Sequence, residues 1–198
     1  MAKQHLDKLH SKPLSWSAIS SYEYDKEQWA KKYLEGVTTP ASPQMLFGNV
    51  VGNKLAKDPT YLPVVLRYDA FEPCLTATLD GIPLIGYFDS LDTKEYHFYE
   101  YKTSSNKDKW THKSANLHGQ ILFYLTLIYL NTKRLPEMIK IKLFYIPVIS
   151  DDNFKLGVNE SGIQSFEIKH TTTEMLKFMK KIKKIYKAME NMAKNKAE

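Results

Sequence analysis

Two carboxylates and a lysine stand close together in this sequence, within Gly86-Tyr87-Phe88-Asp89 and, eleven residues on, Glu100-Tyr101-Lys102. Residues 82–91 and 96–103 read as strands joined by the polar turn Asp92-Thr93-Lys94-Glu95. Pairing Leu91 with Tyr96 sets Asp89 opposite Phe98. Glu100 and Lys102 share the Phe98 face, because side chains alternate with period two. Asp89 and Glu100 are then diagonal cross-strand neighbours, roughly 7–8 Å apart at the backbone. Leaning together, they would hold a divalent cation with a lysine beside it, an arrangement suited to phosphodiester chemistry. Ordinary hairpins also carry such charges, so the string takes its weight from the elements around it.

Those elements follow in a definite order. Residues 1–13 read as a polar leader ending at Pro13. Ser17 caps a helix running to about Leu34, with Gly36 as its stop. A Thr-, Pro- and Ser-rich linker (37–44) leads to a second helix at about 43–57. Strands are expected at 62–69, 74–79, 82–91 and 96–103, with Asp80-Gly81 as a hairpin turn. A polar loop at 104–113 precedes an apolar helix at 114–131, where Leu117, Ile121, Tyr124 and Ile128 form one stripe. A strand at 139–149, a polar loop at 150–159, a short strand at 162–169 and a helix at 172–193 complete the chain. In the last helix Met175, Met179, Ile182, Tyr186 and Met189 make a core stripe and turn the lysines outward. The layout is an α/β fold, one domain over 1–198, with a central sheet and helices around it.

Composition narrows the chemistry. The chain has 198 residues, enough for one substantial core, and its 43% hydrophobic and 25% charged content is ordinary for a globular protein. Net charge is +6, and the segment from Thr171 onward, with 8 Lys against 3 Glu, supplies most of it. A cationic terminal helix suits phosphate binding and equally suits a solvated face. Cys74 is the sole cysteine. It excludes an internal disulfide, a cysteine zinc site and a four-cysteine iron–sulfur cluster. His112 and His118 match no metal spacing. The segment Met1 to Lys12 is too polar for a signal peptide, and Ile121 to Leu130 is too short to span a bilayer. The expectation is a cytoplasmic protein with no membrane partner. No Walker A string is present, so any helicase working with it is a separate protein.

With these residues on it, this order of elements resembles the PD-(D/E)xK nuclease superfamily, and within it the RecB-like nucleases. The resemblance runs from Leu14 to about Leu130. Leu14-Ser15-Trp16-Ser17-Ala18-Ile19-Ser20-Ser21-Tyr22 is similar to the family's serine-rich first-helix start, and Phe47-Gly48-Asn49-Val50-Val51-Gly52 to its second-helix motif. Gly86-Tyr87-Phe88-Asp89 resembles the strand of the first metal-binding acid. Tyr99-Glu100-Tyr101-Lys102-Thr103 resembles the core (D/E)xK strand, and Gln120-Ile121-Leu122-Phe123-Tyr124 the glutamine–tyrosine helix.

The resemblance implies a restriction-endonuclease-like core, a central mixed β-sheet flanked by helices. It also implies a Mg²⁺- or Mn²⁺-dependent DNA nuclease, an exonuclease or single-strand nuclease of replication, recombination or repair, in a phage or mobile-element setting. Its partners would be DNA and a separate helicase or recombination protein. Asp89 and Glu100 would be metal ligands, with the backbone carbonyl of Tyr101 as a third. Lys102 would position the attacking water and steady developing charge, or serve only as a structural ion pair. Gln120 would fix water or substrate, or pack as a buried amide. Tyr124 would lie beside the DNA backbone, or in the core. Lys107, Lys109, Lys113 and the lysines of 173–196 would meet phosphates, and Trp110 would stack on a base. One departure stands out: Gly52 occupies the position of the RecB-like histidine, leaving Asn49 or Asn53 as the nearest oxygen donors. That departure sets up the alternative, a catalytically silent DNA-binding or partner-binding module. A restriction-like endonuclease with fixed duplex cut sites is a third reading.

Overall fold

The computed structural model describes residues 2–106, 108–151 and 155–196. The expected leader is instead helix α1 (Ala2–His10), whose Leu6 and Leu9 join the main core. Ser15 rather than Ser17 caps helix α2 (Trp16–Tyr24), its Oγ accepting from the Ala18 N–H at 3.3 Å. The single helix expected to Leu34 breaks at Asp25. There the backbone is extended and the side chain caps α3 (Lys26–Ala30) by accepting from Gln28 N–H at 3.0 Å. A π-helical turn (Lys31–Glu35) ends at Gly36, whose φ of +83° is the left-handed stop that glycine favours. Ser42 then caps α4 (Pro43–Lys57), with proline in the first turn where no donor is missed.

Residues 62–69 do not form the expected strand. Arg67 gathers the carbonyls that a ladder would need: Nε donates to Leu55 O at 3.0 Å, Nη1 to Val65 O at 3.1 Å, and Nη2 to Tyr61 O. Leu62 and Val65 are buried beneath α4 instead. Pairing begins at β1 (Ala70–Phe71), and β2 (Cys74–Leu79) turns through Asp80-Gly81 into β3 (Ile82–Tyr87). Both turn residues have positive φ, 48° and 85°, as a tight hairpin requires. The expected strand 82–91 is interrupted at Phe88-Asp89 and resumes as β4 (Ser90–Leu91). Asp92 Oδ1 accepts from the N–H groups of Lys94 and Glu95, and Tyr96 takes a φ of +59°. The turn therefore spans Asp92 to His97, and β5 (Phe98–Ser104) starts two residues late.

The loop that follows β5 ends in helix α5 (His112–Asn116), capped by Thr111. A break at Leu117-His118 separates it from α6 (Gly119–Thr132), so Leu117 leaves the expected stripe and is 72% exposed. A Cβ on Gly119 would stand 2.3 Å from the Trp16 ring, so the first residue of α6 packs against α2 as only glycine can. Strands β6 (Ile141–Ser150), β7 (Leu156–Val158, read as loop from the sequence) and β8 (Gln164–Ile168) precede α7 (Thr172–Asn195). Thr171 and Glu174 cap α7 reciprocally, and Met175, Ile182, Tyr186 and Met189 are buried as expected.

The sheet is mixed. Its strands run β1-β4-β5-β6-β7, with β8 also on β6; β5 and β6 are parallel and the other pairs antiparallel. Side-chain alternation on β6 sends Leu143 and Tyr145 into the core under α1, α2, α6 and α7. Phe144 and Ile146 go to the smaller core under α4. Among the described residues no helix is long and apolar enough to cross a membrane.

Candidate active site

Leu91 pairs with Phe98 and Ser90 with Tyr99, so the register places Asp89 directly opposite Glu100 rather than diagonal to it. The expected register was off by two residues. An even slip keeps every side chain on its face, so the grouping of Asp89, Glu100 and Lys102 survives the correction. Asp89 Oδ2 accepts from the Tyr101 N–H at 2.7 Å, which ties the strand break to β5.

Glu100 is only 1% exposed. Its Oε1 lies 2.5 Å from Lys102 Nζ, and its carboxyl group also shares a side-chain hydrogen bond with Asp89. Lys102 Nζ also donates to Gln120 Oε1 at 2.8 Å. Gln120 Nε2 donates to the Tyr124 hydroxyl at 2.7 Å, and that hydroxyl donates to the Tyr87 carbonyl. The amide is thereby fixed with its oxygen toward the cation. Below this chain Phe88 stacks on Tyr124 at 4.1 Å and meets Phe98 edge-on at 5.3 Å. These aromatic contacts hold β3, β5 and α6 together immediately beneath the acids.

Burial sets the electrostatics. It raises the Asp89 carboxyl above its ordinary value, against Lys102 and the Tyr101 N–H. Burial, and then the charge of Asp89, push Glu100 up to about 8. For Lys102 burial acts downward, but the charges of Glu100 and Asp89 outweigh it and hold the ammonium above its usual value. Burial and the charge of Lys102 bring His118 down to about 4. His118 is thus neutral at pH 7, and its Nε2, 3.2 Å from Gln120 Oε1, serves as a second donor to that amide oxygen.

A cavity of about 720 Å³ opens against this site, walled by the Gln44–Ala56 face of α4 and by Glu72, Asp89, Tyr101, Lys102, Thr103 and Lys109. Two carboxyl groups held together in a buried site, sharing a proton that a cation would displace, fit a hard divalent ion such as Mg²⁺ or Mn²⁺. As the side chains stand, no three His, Cys, Asp or Glu residues converge as a ligand group among the described residues. Asn49 and Asn53 line the cavity, while a Cβ on Gly52 would meet nothing within 4 Å.

Other expected contributors fall elsewhere. Trp110 is 8% exposed and packs edge-on against His118 at 5.2 Å, so its ring is unavailable for base stacking and braces the site from behind. Tyr124 is buried and acts through its hydroxyl. Lys109 lines the cavity; Lys113 is exposed on α5 outside its wall; Lys107 lies outside the described residues. Lysines of α7 contribute nothing to the wall, and Lys181, Lys183 and Lys196 pair with Glu23, Asp80, and Glu27 and Glu35. Two residues escaped the sequence reading. His118 had a signal in its place two positions before Gln120 at a helix start; Glu72 was hidden beside a segment read as strand.

Comparison with known proteins identifies the family and the fold. A profile of the PD-(D/E)XK nuclease superfamily matches residues 18–197. No curated protein matches the sequence. A crystal structure from Eubacterium rectale, provisionally named an exonuclease, superposes with a TM-score of 0.65 at 10% identity, covering 96% of this chain and 84% of its own. It shares the fold. A second structure, SSO0001, covers 90% of this chain and 81% of its own at 13% identity; its TM-score of 0.47 is too low to carry an argument. With the family's profile spanning nearly the whole sequence, the chain belongs to the PD-(D/E)XK nuclease superfamily.

Proposed function

We propose that this protein is a Mg²⁺- or Mn²⁺-dependent deoxyribonuclease that hydrolyses phosphodiester bonds in single strands or at strand ends. The observation that carries the reading is Lys102, held at 2.5 Å from Glu100 and 2.8 Å from Gln120 on the wall of a cavity that also exposes Asp89. Asp89, Glu100 and the Tyr101 carbonyl would hold the metal. When bound, the ion supplies Lewis acidity at the phosphate and makes water a stronger nucleophile. The protein's own groups do the rest. Lys102 orients the attacking water and neutralises charge that grows on the phosphate, already fixed in place before the substrate arrives. Gln120 and Tyr124 keep that lysine aimed, and neutral His118 adds to the hold without adding charge. Lys109 meets a phosphate at the cavity wall, and Lys113, exposed on α5, adds a second phosphate contact. The role would lie in replication, recombination or repair, with a separate helicase opening the duplex.

Incubation of labelled single- and double-stranded DNA with Mg²⁺, Mn²⁺ or EDTA tests this. Metal-dependent shortening of the single strand is expected, reduced at least 100-fold in Lys102→Ala and Asp89→Asn. Absence of cleavage with every metal, or full cleavage by either variant, rejects it. A second reading draws on the open space at Gly52, which leaves the α4 side of the site without a strong ligand. A catalytically silent module would bind DNA with steep salt dependence and leave the strand intact.

A further inference from the structure

We propose that Tyr87 and the pocket beside it form a nucleobase subsite, which receives a base of the bound single strand next to the phosphate held at Asp89. The proposal rests on the reading of the protein as a single-strand nuclease and adds a contact that the strand makes outside the catalytic cavity.

Tyr87 belongs to two places at once. Its carbonyl accepts from the Tyr124 hydroxyl, so its backbone is built into the network that aims Lys102. It stands two residues before Asp89, which limits the separation of the two Cα atoms to ~7 Å. Its side chain is 57% exposed and lines a second pocket, of about 390 Å³. Across the β2–β3 ladder Cys74 pairs with Tyr87 and shares a side-chain hydrogen bond with it, which restrains the ring. An exposed, restrained aromatic ring beside a phosphate site is what base stacking requires, and it serves every base because each has a π-face.

The pocket suits the rest of a nucleotide. Its size falls in the range of small-ligand sites, and it has their make-up, apolar walls with a few polar groups. Trp29, Tyr33 and Ile85 belong to its lining. Trp29 stands edge-on to Tyr22 at 5.1 Å and stacks on Tyr33 at 5.8 Å, so this aromatic wall is held in place. Trp29 is 1% exposed, and its Nε1 is buried with no acceptor. A buried indole N–H ordinarily finds a partner, and a ring nitrogen or keto oxygen of a base would supply one. Lys8 and Lys12 also line the pocket, and neither ammonium pairs with a carboxylate among the described residues. No aspartate or glutamate among the described residues lines it. Two free cations and an unsatisfied donor call for a ligand with acceptors and negative charge, and the aromatic wall calls for a flat one. A nucleotide has all three properties.

The test is binding of a short fluorescein-labelled oligothymidine to the full chain, by polarisation, in EDTA and again with Ca²⁺. The same strand is also made with a single abasic site moved along it. Tyr87→Ala is expected to weaken binding about tenfold, the worth of one base stack, and Tyr87→Phe, which keeps the ring, to stay within twofold of wild type. One abasic position should cost the wild type about as much and cost Tyr87→Ala nothing further, because the two changes remove the same contact. Lys8→Ala with Lys12→Ala should lower the log–log salt slope by about 0.7 per lysine. Wild-type affinity in Tyr87→Ala, a Phe variant as weak as the Ala one, or a salt slope unmoved by the lysine pair overturns the subsite and leaves the nuclease reading standing. So do equal losses in both proteins at every abasic position, the result expected of a pocket for free nucleotides. A wild type that binds no strand under either condition overturns both.

Discussion

A carboxylic acid raised to about 8 is protonated in the metal-free protein at neutral pH. A metal ligand must give that proton up, so Mn²⁺ affinity should climb as pH rises from 6 to about 8 and then level off. Titrations at pH 6, 7, 8 and 9 would show it, and a flat profile would argue against Glu100 as a ligand. The same shift sets stability. Because the folded value of Glu100 is raised, its contribution is complete below 4.5 and is lost as pH rises through about 8. His118 has the opposite sign: its folded value is depressed to about 4, so its contribution is complete above 6.5 and is lost as pH falls toward 4. Between about 4.5 and 6.5 the two slopes oppose each other, with His170, also lowered by burial, adding to that of His118 and Asp89, raised by burial, adding to that of Glu100; above 6.5 the Glu100 slope is no longer opposed by either histidine. Urea unfolding in EDTA should therefore show stability declining by up to ~1.4 kcal/mol per pH unit between pH 6.5 and 8. Stability that instead rises between pH 6.5 and 8 would contradict the burial of Glu100.

Two glycines separate packing from open space among the elements. A Cβ on Gly86, in β3, would stand 2.6 Å from Leu127 Cδ1 and 3.0 Å from the Tyr124 ring, so Gly86→Ala must push β3 off α6. A cost of ~1–3 kcal/mol is expected, together with loss of cleavage as the Tyr124 hydroxyl leaves Gln120. Gly52 sits within α4 facing nothing, and Gly52→Ala should stabilise the fold by ~0.5–1 kcal/mol. Chemical denaturation of both variants decides; equal effects would mean that the packing of β3 on α6 is misjudged. Helices α4 and α7 were legible because their caps and apolar stripes are local signals. Asp89 and Glu100 were placed on the right face even though the turn was misjudged, since an even slip in register is silent. The segment 62–69 misled because its apolar residues are those of a strand, while the deciding contacts come from the guanidinium of Arg67. Leu117 misled because its apolar side chain fits the stripe of a continuous helix, whereas the chain breaks at Leu117-His118 between α5 and α6.

For the whole molecule, charge divides by layer. The long helix α7, which holds much of the excess lysine, packs on α1 and α6, whereas α4 and the sheet enclose the cavity. Net charge alone therefore overstated the cationic surface at the site. Single-strand binding should lose about 0.7 from its log–log salt slope for each phosphate contact removed. Lys109→Ala and Lys113→Ala are expected to show that loss, and Lys180→Glu with Lys184→Glu on α7 to leave affinity within twofold. Filter binding across a salt series checks both, and a larger effect from α7 would relocate the path of the strand. What the sequence could not convey at this scale is that β1 pairs with β4 and brings Glu72 onto the same cavity wall as Asp89.

Cys74 gains a practical meaning from the β2–β3 ladder. It is exposed, it is the sole thiol of the chain, and it pairs across the ladder with Tyr87, two residues before Asp89. A nitroxide or fluorophore coupled there would sit close to Asp89 with no cysteine added or removed. The unmodified sequence thus carries its own spectroscopic ruler, able to report in one labelled sample when an ion arrives and when a nucleic-acid strand follows it.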